Sequence, residues 1–159
     1  MLIQNRIGLP IHLANLQSEF LHPDFQDANG KTIPGVAESW ETTDNKTFTF
    51  HLRKEAKWSN GDPVTAGDFV YSFQRAVDPA TASPYSWYME YTKMVNAKDI
   101  IAGKKDKSEL GVKALDDHTL EVTLSAAVPY FVMMTGHTTM KPVHQGTVEA
   151  HGDKWTRPE

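Results

Sequence analysis

Asp116-Asp117-His118 is the densest group of chemistry-bearing side chains in the sequence. Two carboxylates beside an imidazole could do acid–base work or hold a metal ion. The triplet also sits between two alternating runs, where Asp is favoured because its side chain bonds nearby backbone. Turn chemistry is the expected role. The seven histidines form no H-x-x-x-H or H-E-x-x-H arrangement, so no metal site is expected. G-x-S-x-G, Walker and G-x-G-x-x-G signatures are lacking. No cysteine is present, which excludes disulfides, thiolate catalysis and cysteine-ligated zinc. A paired-carboxylate glycosidase leaves no linear signature, because such pairs form in space. Nothing in the sequence favours one. Neither an enzyme nor a cofactor is expected.

The aromatic residues are the second group. Tyr85, Trp87, Tyr88 and Tyr91 are crowded together, and from the residues alone they read as rings packed on one another. Trp40, Trp58 and Trp155 could serve as sugar-stacking platforms. Each sits in a run that reads as scaffold, so core or loop packing is expected.

Composition narrows the class. The length of 159 residues fits one domain, or one domain with fragments of a neighbour. Hydrophobic residues make up 40% and charged residues 23%, as in a globular chain. A net charge of −4 gives no general attraction to nucleic acid or anionic lipid. The basic run Lys104-Lys105-Asp106-Lys107 is broken by an acid and reads as a solvated loop or helix end. No apolar stretch approaches the roughly 20 residues of a membrane helix. The opening MLIQNRIGLPIHLANL lacks a long apolar run and a small-x-small cleavage site, so it does not read as a signal peptide.

The elements that would carry these residues follow from periodicity. Residues 35–40 form a short candidate strand, closed by the turn at Asp44-Asn45. Thr47 to Leu52 alternates strictly, with Phe48, Phe50 and Leu52 on one face. Thr65 followed by Asp68 predicts a helix start. Phe69, Val70, Phe73 and Val77 then recur at helical spacing until Asp78-Pro79. Shorter helices are predicted over 85–91, 96–102 before Gly103, 129–134, and near 147–151. Residues 111–115 and 119–124 read as strands, with Leu120, Val122 and Leu124 sharing a face. Antiparallel strand pairs with helices between them predict an α+β lobe, not a doubly wound parallel sheet.

Several runs resemble the periplasmic oligopeptide-binding proteins, the solute-capturing subunits of ABC peptide importers. They are Lys57-Trp58-Ser59-Asn60-Gly61-Asp62-Pro63-Val64-Thr65-Ala66, then Asp78-Pro79-Ala80-Thr81-Ala82-Ser83-Pro84-Tyr85, then the long run from Leu110 to Leu124. Val128-Pro129-Tyr130-Phe131 and Gly152-Asp153-Lys154-Trp155-Thr156 complete the match, which runs from about Asp27 to Thr156. Murein-tripeptide binders are close relatives of that family.

The resemblance implies the small mixed lobe of a type II periplasmic-binding-protein-like fold. Residues 1–26 would be a divergent remnant of the first lobe, 27–144 the small lobe, and 145–159 a segment leading back to the first lobe. It implies a periplasmic address, an oligopeptide ligand in the full-length protein, ABC permease partners and a monomer that does not span the membrane. Tyr85 is the residue to which the resemblance assigns peptide contact, since the family's tyrosine after Ala-Ser-Pro touches bound peptide from this lobe. A tyrosine suits such a ligand because it offers an apolar face and a hydroxyl. Packing within the local ring cluster is the alternative. The family's acid and arginine near the N-terminus are matched here by Gly8 and Gln17, so those contacts are not carried over. Two alternatives to peptide capture stand beside it. One is a truncated remnant without ligand binding of its own, expected to bind peptide no better than about millimolar. The other is a murein-peptide binder.

Overall fold

Two hairpins of alternating sequence meet to build the sheet. The computed structural model describes residues 35–156. The readings at Gly8, Gln17 and the rest of the N-terminal segment lie outside the described residues. Strands β1 (Ala37–Glu41) and β2 (Thr47–Leu52) form the first hairpin. Strands β3 (Val112–Asp116) and β4 (Thr119–Thr123) form the second. The order is β1-β2-β4-β3, and every pairing is antiparallel. The join is β2 against β4, with Phe48 opposite Val122 and Phe50 opposite Leu120. Directly paired residues face the same side. The two apolar faces therefore merge into one, and all four of these residues are buried. Thr47, Thr49, His51, Thr119, Glu121 and Thr123 make up the half-exposed opposite face.

Helix α1 (Ala66–Val77) contributes Phe69, Phe73 and Val77 to the core. Val70, predicted on the same apolar face, is only partly buried at its edge. Two polar residues, Asp68 and Ser72, are buried instead. The Asp68 carboxylate accepts from the Thr65 N–H at 2.9 Å and the Thr65 hydroxyl at 3.2 Å, as the predicted helix start requires. It also accepts the indole N–H of buried Trp58 at 3.2 Å. One cap thus holds the loop before the helix as well as its first turn. The Ser72 hydroxyl donates to the Asp68 carbonyl and accepts the Val143 N–H at 2.8 Å, pinning a distant segment to α1.

The remaining helices are α2 (Ser86–Tyr91), α3 (Ala97–Ile101), α4 (Phe131–Met134) and α5 (Gln145–His151). Phe131 of α4 enters the core, its ring 5.0 Å from that of Phe48 and 6.4 Å from that of Phe50. Helix α5 buries Val148, and nearby the Arg75 guanidinium lies 5.8 Å over the Trp155 ring. Gly111 sits where three segments cross. Its N–H donates to the Val95 carbonyl, its carbonyl accepts the Thr123 N–H, and Val95 N–H donates to the Thr123 carbonyl. A Cβ at Gly111 would lie 2.5 Å from the Thr123 carbonyl oxygen and 2.7 Å from Val95 Cβ. Only glycine permits that approach. The result is an α+β lobe with one four-stranded antiparallel sheet.

Candidate functional site

Asp116-Asp117-His118 forms the turn between β3 and β4. Asp116 accepts the His118 N–H at 2.7 Å and the Thr119 hydroxyl at 2.9 Å. Those bonds, the backbone one foremost, hold its carboxyl below the usual range. The carbonyls of Asp117 and His118 accept from the N–H groups of Ala66 and Leu52. The triplet therefore fastens α1 and β2 to the hairpin. A hollow of about 540 Å³ lies beside it, lined by Ser39, His51, Asp116 and His118 among others. Its clearest acid is already committed to the turn. No group of three or more His, Asp or Glu side chains among the described residues is arranged to hold a metal.

The tryptophans separate by role. Trp58 is buried on the Asp68 cap and its ring lies 5.5 Å from that of His144. Trp40 packs against the core and Trp155 sits beneath Arg75. Trp87 is different, at 55% exposed.

Trp87 belongs to an aromatic corner built on α2. Asp78 begins the approach to it. Its carboxylate receives the Lys107 ammonium at 2.7 Å and caps the 3-10 turn Pro79–Thr81 through the Ala80 N–H at 2.9 Å. Lys107 first, then Ala80, hold the Asp78 carboxyl below its ordinary value. Ala82 then takes a left-handed conformation, with φ of +49°. The chain turns through Pro84 and delivers Tyr85 to the start of α2. Tyr85 is 51% exposed. It lies 6.4 Å from Trp87 and 5.9 Å from His137. Tyr88 stacks on His137 at 3.9 Å and 16°, and Trp87 meets Tyr88 edge-on at 5.8 Å. The Tyr88 hydroxyl donates to the Met134 carbonyl at 2.9 Å, which ties α2 to α4. Burial pushes the Tyr88 phenol up and the His137 imidazole down from their ordinary values. Tyr91, Tyr130 and Met133 are also more than half exposed.

Tyr85 therefore packs in the local ring cluster, as one of its two sequence readings has it, and keeps half of its surface exposed. His137 is the member that the sequence reading missed. It comes from the segment after α4 and meets both Tyr88 and Tyr85 at the corner.

Comparison with known proteins gives four findings. The family described as bacterial extracellular solute-binding proteins, family 5 middle, matches residues 31–159. The periplasmic oligopeptide-binding protein OppA of Salmonella typhimurium is 60% identical over 132 residues, covering 83% of this chain and 24% of that protein. The Escherichia coli murein tripeptide binding protein MppA superposes with a TM-score of 0.82 at 45% identity, covering 87% of this chain and 26% of that one. Haemophilus influenzae OppA in complex with RPPGFSPFR superposes with a TM-score of 0.80 at 48% identity, covering 92% and 32%. The chain spans about a quarter of the length of the curated relatives it matches.

Proposed function

The chain belongs to the bacterial extracellular solute-binding proteins of family 5, and we propose that it supplies one wall of a peptide-capturing pocket in a subunit that serves an ABC importer. Such a subunit works without covalent chemistry. It gains affinity by enclosing a ligand and pairing its backbone groups. Residues 27–144 are the lobe that presents this wall, and 145–159 lead toward a neighbouring lobe. A periplasmic address, a permease partner and a monomeric state belong to the same proposal. Among the described residues no helix is long and apolar enough to cross a membrane.

The observation that carries the reading is the exposure of Tyr85 in a fixed ring cluster. An exposed aromatic patch on an otherwise polar surface is costly unless something covers it. Rings already held by their neighbours lose little freedom when a ligand arrives, so more of the contact energy is retained. Tyr85 lies beside two aromatic neighbours and is about half exposed. That suits a ligand whose side chains vary while its backbone stays polar.

Calorimetry with tri- to pentapeptides tests the reading. The protein used is of family length, with this sequence in the matching quarter. Micromolar or tighter binding that weakens on Tyr85→Ala is the expected result. Absence of binding across the peptide set, or equal binding by Tyr85→Ala, would overturn it. A murein tripeptide belongs in the same set, and preference for it over ordinary peptides would favour the second ligand class.

A further inference from the structure

We propose that His137 Nε2–H is a fixed hydrogen-bond donor for a main-chain carbonyl of the ligand, set beside the ring of Tyr85. The inference rests on the reading of Tyr85 as a ligand contact and adds a second contact, from a different segment, with its own chemistry.

Three features fix the imidazole. Its face stacks on Tyr88 at 3.9 Å. Tyr85 stands across it at 5.9 Å. Its Nδ1 accepts the Thr139 N–H at 3.2 Å, capping the 3-10 turn Thr138–Met140. A nitrogen that accepts an N–H carries the lone pair, so the proton of the neutral ring is on Nε2. That Nε2 has no hydrogen-bond partner among the described residues, and it is not among the buried polar atoms left without one. It sits, unpaired among the described residues, on a ring whose orientation is already set.

The chemistry of the acceptor follows from the charge. Burial holds His137 below the ordinary imidazole value, so the ring is neutral at neutral pH. A neutral N–H suits an uncharged carbonyl better than a terminal carboxylate, which would favour a charged donor. A peptide enclosed against Tyr85 must satisfy its carbonyls, because an unpaired one costs the full desolvation penalty. The nearby Tyr88 hydroxyl cannot serve while it donates to the Met134 carbonyl.

Two substitutions separate this role from capping. His137→Asn places its carboxamide oxygen near Nδ1, so it keeps an acceptor for Thr139 and loses the outer donor. His137→Gln places an N–H near Nε2 and loses the acceptor. Calorimetry with tri- to pentapeptides on the family-length protein is expected to show His137→Asn about three- to tenfold weaker and His137→Gln within about twofold of the parent. The reverse order would reduce His137 to a turn cap and overturn the proposal. So would equal affinities for both variants. Tyr85→Ala measured alongside separates the two readings. If Tyr85→Ala weakens binding and His137→Asn does not, the donor is refuted and the Tyr85 contact stands. If neither does, or if the parent binds no peptide, both fall. A second readout needs no ligand. Nitrogen-15 NMR of the 159-residue chain should show His137 protonated on Nε2. Protonation on Nδ1 would overturn the geometry.

Discussion

The lobe holds two clusters of aromatic rings that differ in what surrounds them. In the core, Phe48 and Phe131 lie 5.0 Å apart, and Phe69 and Phe73 lie 6.2 Å apart. At the corner, Tyr85, Trp87, Tyr88 and His137 are spaced from 3.9 to 6.4 Å. Ring spacing alone does not distinguish them. The core rings have essentially no exposed surface, whereas Tyr85 and Trp87 keep about half of theirs. The core rings project from strands and a helix whose apolar periods converge. The corner rings come from the start of α2 and, for His137, from the segment after α4, and are held by the Tyr88 hydroxyl on the Met134 carbonyl and the Thr139 N–H on the His137 imidazole. The first cluster stabilises the fold; the second is the surface proposed above to meet peptide.

Substitution in the core should have the largest effect. Phe73→Ala is expected to cost about 3–5 kcal/mol, a large share of a typical domain's stability. Thr123→Ala, on the half-exposed face of β4, should cost much less. Chemical denaturation of both variants tests the contrast, and a Phe73 change no worse than Thr123→Ala would erase it. Gly111→Ala comes next. The new methyl group would meet backbone at 2.5 Å, and backbone cannot swing aside as a side chain can. A loss of about 1–3 kcal/mol is expected. A neutral result would show that the crossing of residues 95, 111 and 123 opens at little cost.

The core cluster was legible in the sequence and the corner only in part. Phe48, Phe50 and Leu52 announce a strand face because the side-chain period of a strand is two. Thr65 and Asp68 announce a helix start because their bonds span three residues. These signals are local. The placement of β2 beside β4 is not, since either hairpin edge could have paired. The burial of Asp68 escaped the periodic reading because its indole partner, Trp58, lies in the preceding loop. Tyr85 was found through a motif, and its exposure had no signature in the residues. His137 carried no signal at all, since nothing near it in sequence points to Tyr88.

A smaller effect is expected at the base of the corner. The Asp78–Lys107 pair is half open to solvent on the lysine side, so its net contribution is about 0–1 kcal/mol and weakens with salt. Asp78 is held below its unfolded value. Its contribution is therefore present above the unfolded carboxylate range and lost as pH falls through the folded value. Lys107 is raised, so its contribution is present below the unfolded lysine value and lost as pH rises through the folded one. Lys107→Ala should flatten the acid limb of stability against pH at low salt. An unchanged limb would show that the pair contributes nothing to it. The comparison is sharpened if Lys107→Ala alters the fluorescence of Trp87 while leaving the unfolding midpoint within experimental error.

The smallest effect on stability is expected at Tyr85, and it is the most informative. Half of the residue's surface is already in water, and its ring contacts are near the outer limit for aromatic pairs. Removing it opens no enclosed cavity, so the cavity cost that makes Phe73→Ala severe has no counterpart here. Tyr85→Ala should change stability by no more than about 0.5 kcal/mol. Its peptide affinity in the family-length protein should nevertheless fall about tenfold or more, because a held aromatic at the centre of a covered patch is where binding energy concentrates. Denaturation and calorimetry on the same variant give both numbers. A stability loss above about 1 kcal/mol with unchanged affinity would move Tyr85 into the scaffold. The corner would then be a second, shallower core, and the distinction between the two clusters would be one of degree.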